Sequence, residues 1–319
     1  NNNMAYSAGD TILDDEYNAF VNNSSSPYGY NHFAGPGLGE YGLNQSTIAT
    51  VSAGGTINAS SWNALFTGLD NIADHTNTSI TASSVSAGDT VAIRSALITD
   101  LANLAAAVAA GSTSATALST NAIGTSTNSG TWNSTSTIER SVTFANNATM
   151  RAFFNAGGSI RVDPATSGST DGDKDTVFEQ LTAAVGNLDI GAHATTRSGS
   201  GETQTSNGFS NGFHDLGTVY TSLLKLTSDN GGYTSNTVEI SAKLDAAPAT
   251  ATVITIKMYS VDADNDDTYT SGNTDGVPVN PNEAPAMQLN IIEEFPTNGE
   301  GLASNIQSLS NDEVDNSQS

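Results

Sequence analysis

A hexapeptide that occurs three times near the start of the chain constrains its fold more than any other sequence feature. The copies occupy residues 7–12, 52–57 and 86–91 and share the form Ser-Ala-Gly-Asp/Gly-Thr-Ile/Val. Their glycine favours a turn, and the threonine or a following Asp or Asn can cap the free amides of a helix. Each copy therefore predicts the entry of a helix, and the three together predict N-terminal helical repeats.

The similarity between the first two copies continues into the helices themselves. Tyr17-Asn18-Ala19-Phe20 stands at the same distance from its hexapeptide as Trp62-Asn63-Ala64-Leu65. In the second helix apolar residues recur at spacings of three and four, which is the pattern of one face packed on a core. The predicted helical core consists of Tyr17, Phe20, Trp62, Leu65 and Phe66.

A third helix is predicted over residues 90–110, where Leu, Ile, Val and Ala dominate. Its alanine content favours close helix packing, and either a small bundle or a seam between subunits fits the pattern. Residues 1–110 are thus predicted to form a helical repeat or docking domain. Residues 111–137 are rich in Ser, Thr, Gly and Asn, and this composition predicts a linker because little apolar surface offsets the ordering entropy.

From residue 138 onward the hydrophobic period shifts towards two, which is typical of β-strands. The predicted strands lie at 138–144, 159–162, 187–190, 237–244, 251–261 and 287–292. Short helices are predicted at 147–155, 175–185 and 216–227; glycines follow the first two.

These patterns predict an α+β multidomain chain in which the N-terminal helical repeats precede a mostly antiparallel β-domain. The β-rich domain is predicted over residues 138–295 and is expected to be sandwich-like, with short helices. We expect Phe153, Phe154 and Phe213 to anchor its core. The acidic segment 296–319 is predicted to be a flexible tail.

The charge of the chain limits its partners. The formal net charge is −24, with no Lys or Arg before Arg94 and none after Lys257. Such a field repels phosphate backbones and anionic lipids, so neither nucleic acid nor a membrane is expected as a partner. Two interpretations stay open: an acidic surface adapted to salty surroundings, which we favour, and a surface for cations or a basic partner.

Targeting and redox signals are absent from the printed sequence. The chain has no Cys, so disulfides and thiolate sites are excluded. No apolar run has the length of a membrane span, and no basic region followed by an apolar stretch stands at the start. We therefore expect neither a transmembrane helix nor a signal peptide.

One acidic loop is a candidate calcium site. Asp262, Asp264 and Asp266 place carboxylates at alternate positions, and Ca²⁺ prefers such oxygen ligands. The loop departs from an EF-hand, because Asp267 stands where Gly is required and Asn273 stands where a bidentate Glu is required. A solvated hairpin loop is the plainer interpretation, and calcium is the one cofactor that the sequence leaves open.

A short serine motif raises the question of catalysis. Residues 208–212 read Gly-Phe-Ser-Asn-Gly, and His214 and Asp215 follow. A nucleophile elbow requires a buried strand before the serine and a helix after it, whereas a loop rich in Gly, Ser and Thr precedes this one. No His pair has metal-ligand spacing, and no phosphate-binding loop is present. The sequence therefore favours a protein that is not an enzyme.

Several segments resemble a family of virion structural proteins from marine tailed bacteriophages, notably those that infect cyanobacteria. The resembling segments are residues 9–18, 37–46, 55–65, 153–161 and 212–216, with His75 after the second helix. The chain departs from the family pattern in the acidic loop 262–267 and in the tail after Pro296. The resemblance implies a location in the virus particle, assembled in the host cytoplasm, and not a reaction.

We therefore expect a tail or neck assembly protein that acts through homo-oligomeric contacts and contacts with neighbouring virion proteins. A capsid decoration protein or a receptor-contacting adhesin is the first alternative. A calcium-binding surface protein is the second.

Overall fold

The chain folds into two compact units, each interrupted in sequence by the other. The first contains Asn1–Ser119, Ala145–Gly158 and Phe295–Ser308, and the second contains Thr120–Phe144, Ser159–Glu294 and Leu309–Ser319. The structure is a computed structural model. It describes residues 13–86, 94–115, 117–128, 130, 132, 134–168, 173–231, 233–263, 284–296, 302 and 309–318.

The first unit is helical in its described part. Its helices are α1 (Asp14–Asn22), α2 (Tyr30–Phe33), α3 (Ala59–Thr76), α4 (Arg94–Ala109) and α5 (Asn147–Asn155). The second hexapeptide copy leads into α3, where Asn58 Oδ1 accepts a hydrogen bond from the Ser61 N–H at 3.0 Å. This cap agrees with the predicted helix entry. The first copy lies outside the described residues, and of the third copy only Ser86 is described.

Aromatic rings fill the core of the helical unit. The Trp62 ring lies edge-on to Tyr17 at a centroid distance of 5.3 Å and stacks on Phe66 at 5.6 Å. All five residues predicted for this core are buried: Tyr17, Phe20, Trp62, Leu65 and Phe66. Gly68 is needed where α3 passes α2, because a Cβ there would lie 2.7 Å from the Tyr30 ring.

Helix α5 has the predicted bounds, but it belongs to the helical unit and not to the β-domain in which it was predicted. Arg151 Nη1 donates a hydrogen bond to the Pro36 carbonyl at 2.7 Å, and Asn155 Nδ2 donates to the Gly42 carbonyl at 3.0 Å. These bonds tie α5 to the loop after α2. Phe153 and Phe154 are buried as expected, but they lie in the helical unit and not in the β-domain.

The second unit is built on two antiparallel sheets. The five-stranded sheet has the order β1-β10-β3-β4-β5, and the six-stranded sheet has the order β11-β2-β9-β8-β7-β6. The strands are β1 (Leu118–Thr127), β2 (Thr135–Phe144), β3 (Ser159–Ser167), β4 (Leu188–Ile190), β5 (Thr195–Arg197), β6 (Thr203–Asn207), β7 (Thr221–Thr227), β8 (Thr237–Leu244), β9 (Val253–Val261), β10 (Ala286–Pro296) and β11 (Leu309–Gln318).

The sheets enclose a helix. Buried and half-exposed residues alternate strictly along β2 and β9, as expected for strands with one face on a core. Helix α6 (Asp173–Val185) contacts β3 of one sheet and β7 and β8 of the other. Trp132 packs on Phe178 of α6 at 4.8 Å, and Phe213 is buried, as predicted for an anchor of this domain. The antiparallel, sandwich-like β-domain of the prediction is thus present in coarse outline.

Three predicted segments differ in the structure. The predicted linker, 111–137, contains β1 and the first residues of β2, and the predicted flexible tail, 296–319, contains β11. Both strands have weak patterns of their own and are fixed by the neighbours with which they pair. The predicted helix 216–227 is wrong, because residues 221–227 form β7.

None of the helices in the described part has the length and apolar character that a membrane span needs.

Candidate interaction surface

The described cationic side chains of this acidic chain are engaged within the chain. The side chain of Arg94 lies outside the described part of the structure. The contacts are Arg140 with Ser126 and Glu313, Arg151 with Pro36 and Asn147, Arg161 with Asp189 and Glu294, Lys174 with Asp262, Arg197 with Ala184, Lys225 with Glu239, and Lys243 and Lys257 with the Tyr220 ring. Among the described side chains, the acidic field is therefore not offset by cations free to meet a partner.

The candidate calcium ligand Asp262 is held by an ammonium group. Lys174 Nζ lies 2.9 Å from Asp262 Oδ2, and the two side chains are 1% and 0% exposed. Asp264 and Asp266 lie outside the described residues. Within the described part, no group of three or more His, Cys, Asp or Glu residues is placed to hold a metal ion. Calcium at this loop stays a prediction, and it would have to compete with Lys174 for one oxygen of Asp262.

The serine motif lies in a loop between β6 and β7. Ser210 is exposed, and Asp215 Oδ2 accepts a hydrogen bond from the Gly212 N–H at 3.0 Å, so this carboxylate caps the short 3₁₀ helix Phe213–Asp215. The His214 ring stacks on His193 at 4.8 Å. The elements that follow Ser210 are this three-residue 3₁₀ helix and then strand β7, not the α-helix that a nucleophile elbow requires. The loop geometry therefore gives no support to a hydrolase triad.

A polar cleft opens at the end of α3. Its volume is about 410 Å³, and Asp70, Asp74 and Asn77 line it together with Ser114. Asn77 adopts a left-handed conformation with φ of 54°, which ends the helix. The cleft is open and lined by carboxylates and hydroxyls, and its described lining offers no nucleophile paired with a base.

A carboxylate cluster lies on the partly exposed face of the five-stranded sheet. Arg161 on β3 lies between Asp189 on β4, at 3.2 Å, and Glu294 on β10. Ser159 Oγ donates to Glu294 Oε2 at 3.1 Å. Burial raises the pKa of Asp163 and of Glu294, and Arg161 opposes both shifts. One arginine thus serves several carboxylates, which is typical of a structural network.

Each sheet ends in a long strand that no described strand covers. β1 is the edge of one sheet and β11 the edge of the other, and each has ten residues. Asn316 on β11 donates to the Thr127 carbonyl of β1 at 3.1 Å, so the C-terminal ends of the two strands lie close together. An edge strand presents a row of main-chain N–H and C=O groups, and such a row can pair with a strand of another chain.

The two edges differ in chemistry. β11 carries exposed Asp312, Glu313 and Asp315, and Val314 is 55% exposed. β1 has no charged residue, and it lies within a stretch from Leu101 to Ile138 that contains none. The predicted linker, 111–137, covers the whole of β1, so the edge strand was not predicted. Its signal was available, because 38 uncharged residues are unusual in a chain of net charge −24.

Comparison with protein-family models, curated proteins and solved structures gives no match for this chain.

Proposed function

We propose that this chain is a structural component of a tailed-phage virion, located in the tail or neck, that acts through contacts with its own copies and with neighbouring particle proteins. The observation that carries the proposal is the ten-residue edge strand β1, which carries no charge and which no described strand covers. Proteins that stay monomeric shorten, charge or cover such edges, whereas assembly proteins use them as contacts.

Charge also supports an assembly role over nucleic-acid binding. The chain has 33 acidic and nine basic residues, and the described basic side chains are engaged in contacts within the chain. A surface of this kind repels phosphate backbones and packaged DNA. It suits a position on the outside of a particle or around a channel, where an acidic surface keeps DNA from adhering.

The proposal is tested on particles. An antiserum against the purified chain, applied with gold labelling to intact marine phage particles that encode it, should mark the tail or neck at a fixed position. An electron-microscopy map of the same particles should contain the two-sheet unit in a symmetric ring or sleeve. Particles that carry no gold label and whose protein content lacks the chain would overturn the proposal.

The same experiment separates the alternative functions. Periodic label over the shell would favour a capsid decoration protein, and label at fibre tips would favour an adhesin. A calcium-binding surface protein would show a melting temperature that falls on addition of chelator. If Asp262 were a ligand, Asp262→Asn would abolish that response.

A further inference from the structure

We infer that β1 is the docking edge for a second copy of this chain, whose own β1 pairs with it in antiparallel orientation. The inference rests on the proposed structural function and names the partner and the contact. It joins two five-stranded sheets into one continuous sheet across a twofold axis.

The sheet edges in the described part of the chain differ in length, charge and regularity. β5 has three residues, and β6 has five with a register shift between Gln204 and Ser206. β11 carries three acidic residues and a register shift between Glu313 and Asp315. Short length, charge and bulges are the features that keep edges from pairing. β1 has ten residues without a charge or a proline.

The first half of β1 is accessible to an incoming strand. Residues 118–122 are all exposed, so side chains on both faces of this half of the strand are open to solvent. The other half is fixed in place, because Thr125 Oγ1 donates to Asn290 Oδ1 at 2.8 Å and Gln288 Nε2 donates to Thr127 Oγ1 at 2.9 Å. An incoming strand therefore meets an edge that is already ordered and pays little to order it.

The absence of charge on β1 favours a second copy of this chain as the partner. Two copies of net charge −24 repel each other, and their described cations are engaged, so a contact between copies has to be free of charge. β1 opposite β1 places Ser, Thr, Asn and Ala side chains across from one another, and Ser and Thr pairs of this kind are favourable. β11 opposite β11 would place Asp312, Glu313 and Asp315 near their own counterparts.

The position of β11 adds a signature to this contact. Since Asn316 bonds the carbonyl of Thr127, the acidic residues of β11 flank one end of β1. In a β1 pair they would lie at the margin of the interface and repel the other copy. Salt screens such repulsion, so the affinity between copies should rise as ionic strength rises.

Sedimentation equilibrium of the full chain tests the inference. We expect a reversible dimer. Its dissociation constant should decrease when the NaCl concentration is raised from about 0.05 M to about 0.5 M. The double variant Thr120→Glu with Ala122→Glu should weaken the dimer by roughly tenfold or more, because it opposes like charges across the twofold axis. The matched variant Thr120→Gln with Ala122→Gln should stay within about threefold of wild type. Circular dichroism and a melting curve check that both variants are folded.

Disulfide trapping then locates the contact. Because the chain has no Cys, single cysteines can be introduced at positions 119 to 125 without further changes. Under mild oxidation the yield of covalent dimer should peak at one or two positions and fall on both sides, and Asn316→Cys on β11 should give little. The inference would be overturned if the yield of covalent dimer were the same at all cysteine positions. It would also be overturned if the double Glu variant formed the dimer as well as wild type, or if the chain stayed monomeric at every protein and salt concentration. Labelling of the tail or neck in particles is independent of these outcomes, so the failure of the β1 contact can be told from failure of the proposed function.

Discussion

Asn63 and Val85 are joined by two hydrogen bonds, in which Asn63 Nδ2 donates to the Val85 carbonyl at 2.9 Å and the Val85 N–H donates to Asn63 Oδ1 at 2.8 Å. Asn18 makes the same two bonds with Val51, at 2.8 and 2.7 Å. Asn18 directly follows Tyr17, and Asn63 directly follows Trp62. Each Val directly precedes a hexapeptide copy. The sequence repeat thus corresponds to a repeated clamp between a helix and the chain that leads to the next copy.

Removing one clamp should destabilise the helical unit. Asn63→Ala deletes two hydrogen bonds to main-chain groups, and at about 0.5–1.5 kcal/mol for each bond the expected loss is about 1–3 kcal/mol of unfolding free energy. Urea denaturation followed by circular dichroism measures it. Asn71→Ala, in the same helix, corrects for the helix propensity of alanine. Equal denaturation midpoints for the two variants would contradict the role of the clamp.

The Trp62 ring should be the largest single contributor to the helical core. It is 2% exposed and contacts three other aromatic rings. Trp62→Ala should therefore cost about 3–5 kcal/mol of unfolding free energy. As a control, Leu38→Ala, at a position that is 63% exposed, should stay within about 0.5 kcal/mol of wild type. A Trp62→Ala melting curve that overlays wild type would show that the ring is not buried.

The Lys174–Asp262 pair should be costly to break from one side. Lys174→Met leaves a fully buried carboxylate without its cation, and the expected loss is about 3–5 kcal/mol. Adding Asp262→Asn to this variant should restore much of the lost stability, because neither side chain of the pair is then charged. Lys225→Met serves as the matched control: its partner is Glu239, the side chains are 36% and 25% exposed, and the expected effect is about 0–1 kcal/mol. Denaturation curves in which the double variant is no more stable than Lys174→Met would rule out a mutual pair.

The pH dependence of stability should carry a contribution from Glu293. Burial raises the pKa of this carboxyl, although a hydrogen bond with Asn121 opposes the shift. A raised folded-state pKa means that protonation favours the native state. Its contribution is complete below the unfolded pKa of about 4.3 and is lost as the pH rises through the folded pKa. Glu293→Gln should therefore raise the free energy of unfolding at pH 7, and the gain should shrink as the pH approaches 4. A variant less stable than wild type at pH 7 would contradict this.

Asp245 should behave in the opposite way. Burial acts to raise its pKa, but hydrogen bonds from the N–H groups of Val253 and Thr252 outweigh burial and lower it. A lowered folded-state pKa gives stability that is present above the unfolded pKa of about 3.9 and is lost as the pH falls through the folded pKa. Asp245→Asn should therefore destabilise the chain at pH 7 and have little effect at pH 2. Thermal melts at the two pH values measure the difference, and an equal effect at both would refute the assignment.

Elements with a strong periodicity of their own could be predicted from the residues alone. Helix α5 has the predicted bounds, β2, β8 and β9 lie where period-two patterns predicted them, and Asn58 caps the helix after a hexapeptide. In these elements each side chain's position along the chain already decides whether it faces the core. The same is true of Trp62, whose spacing from Leu65 and Phe66 allows one buried face.

Strands β1, β7 and β11 could not be predicted in this way, because contacts with neighbouring strands, and not the local pattern, fix their conformation. β7 buries the adjacent residues Leu223 and Leu224 through a register shift, which a period-two pattern does not anticipate and a helical pattern mimics. β1 and β11 bury few side chains, and pairing with β10 and β2 makes them strands. The same dependence on a partner decides that the outer side of β1 pairs with no strand in the described part of the chain, whereas the residues of β1 themselves show only that this strand carries no charge.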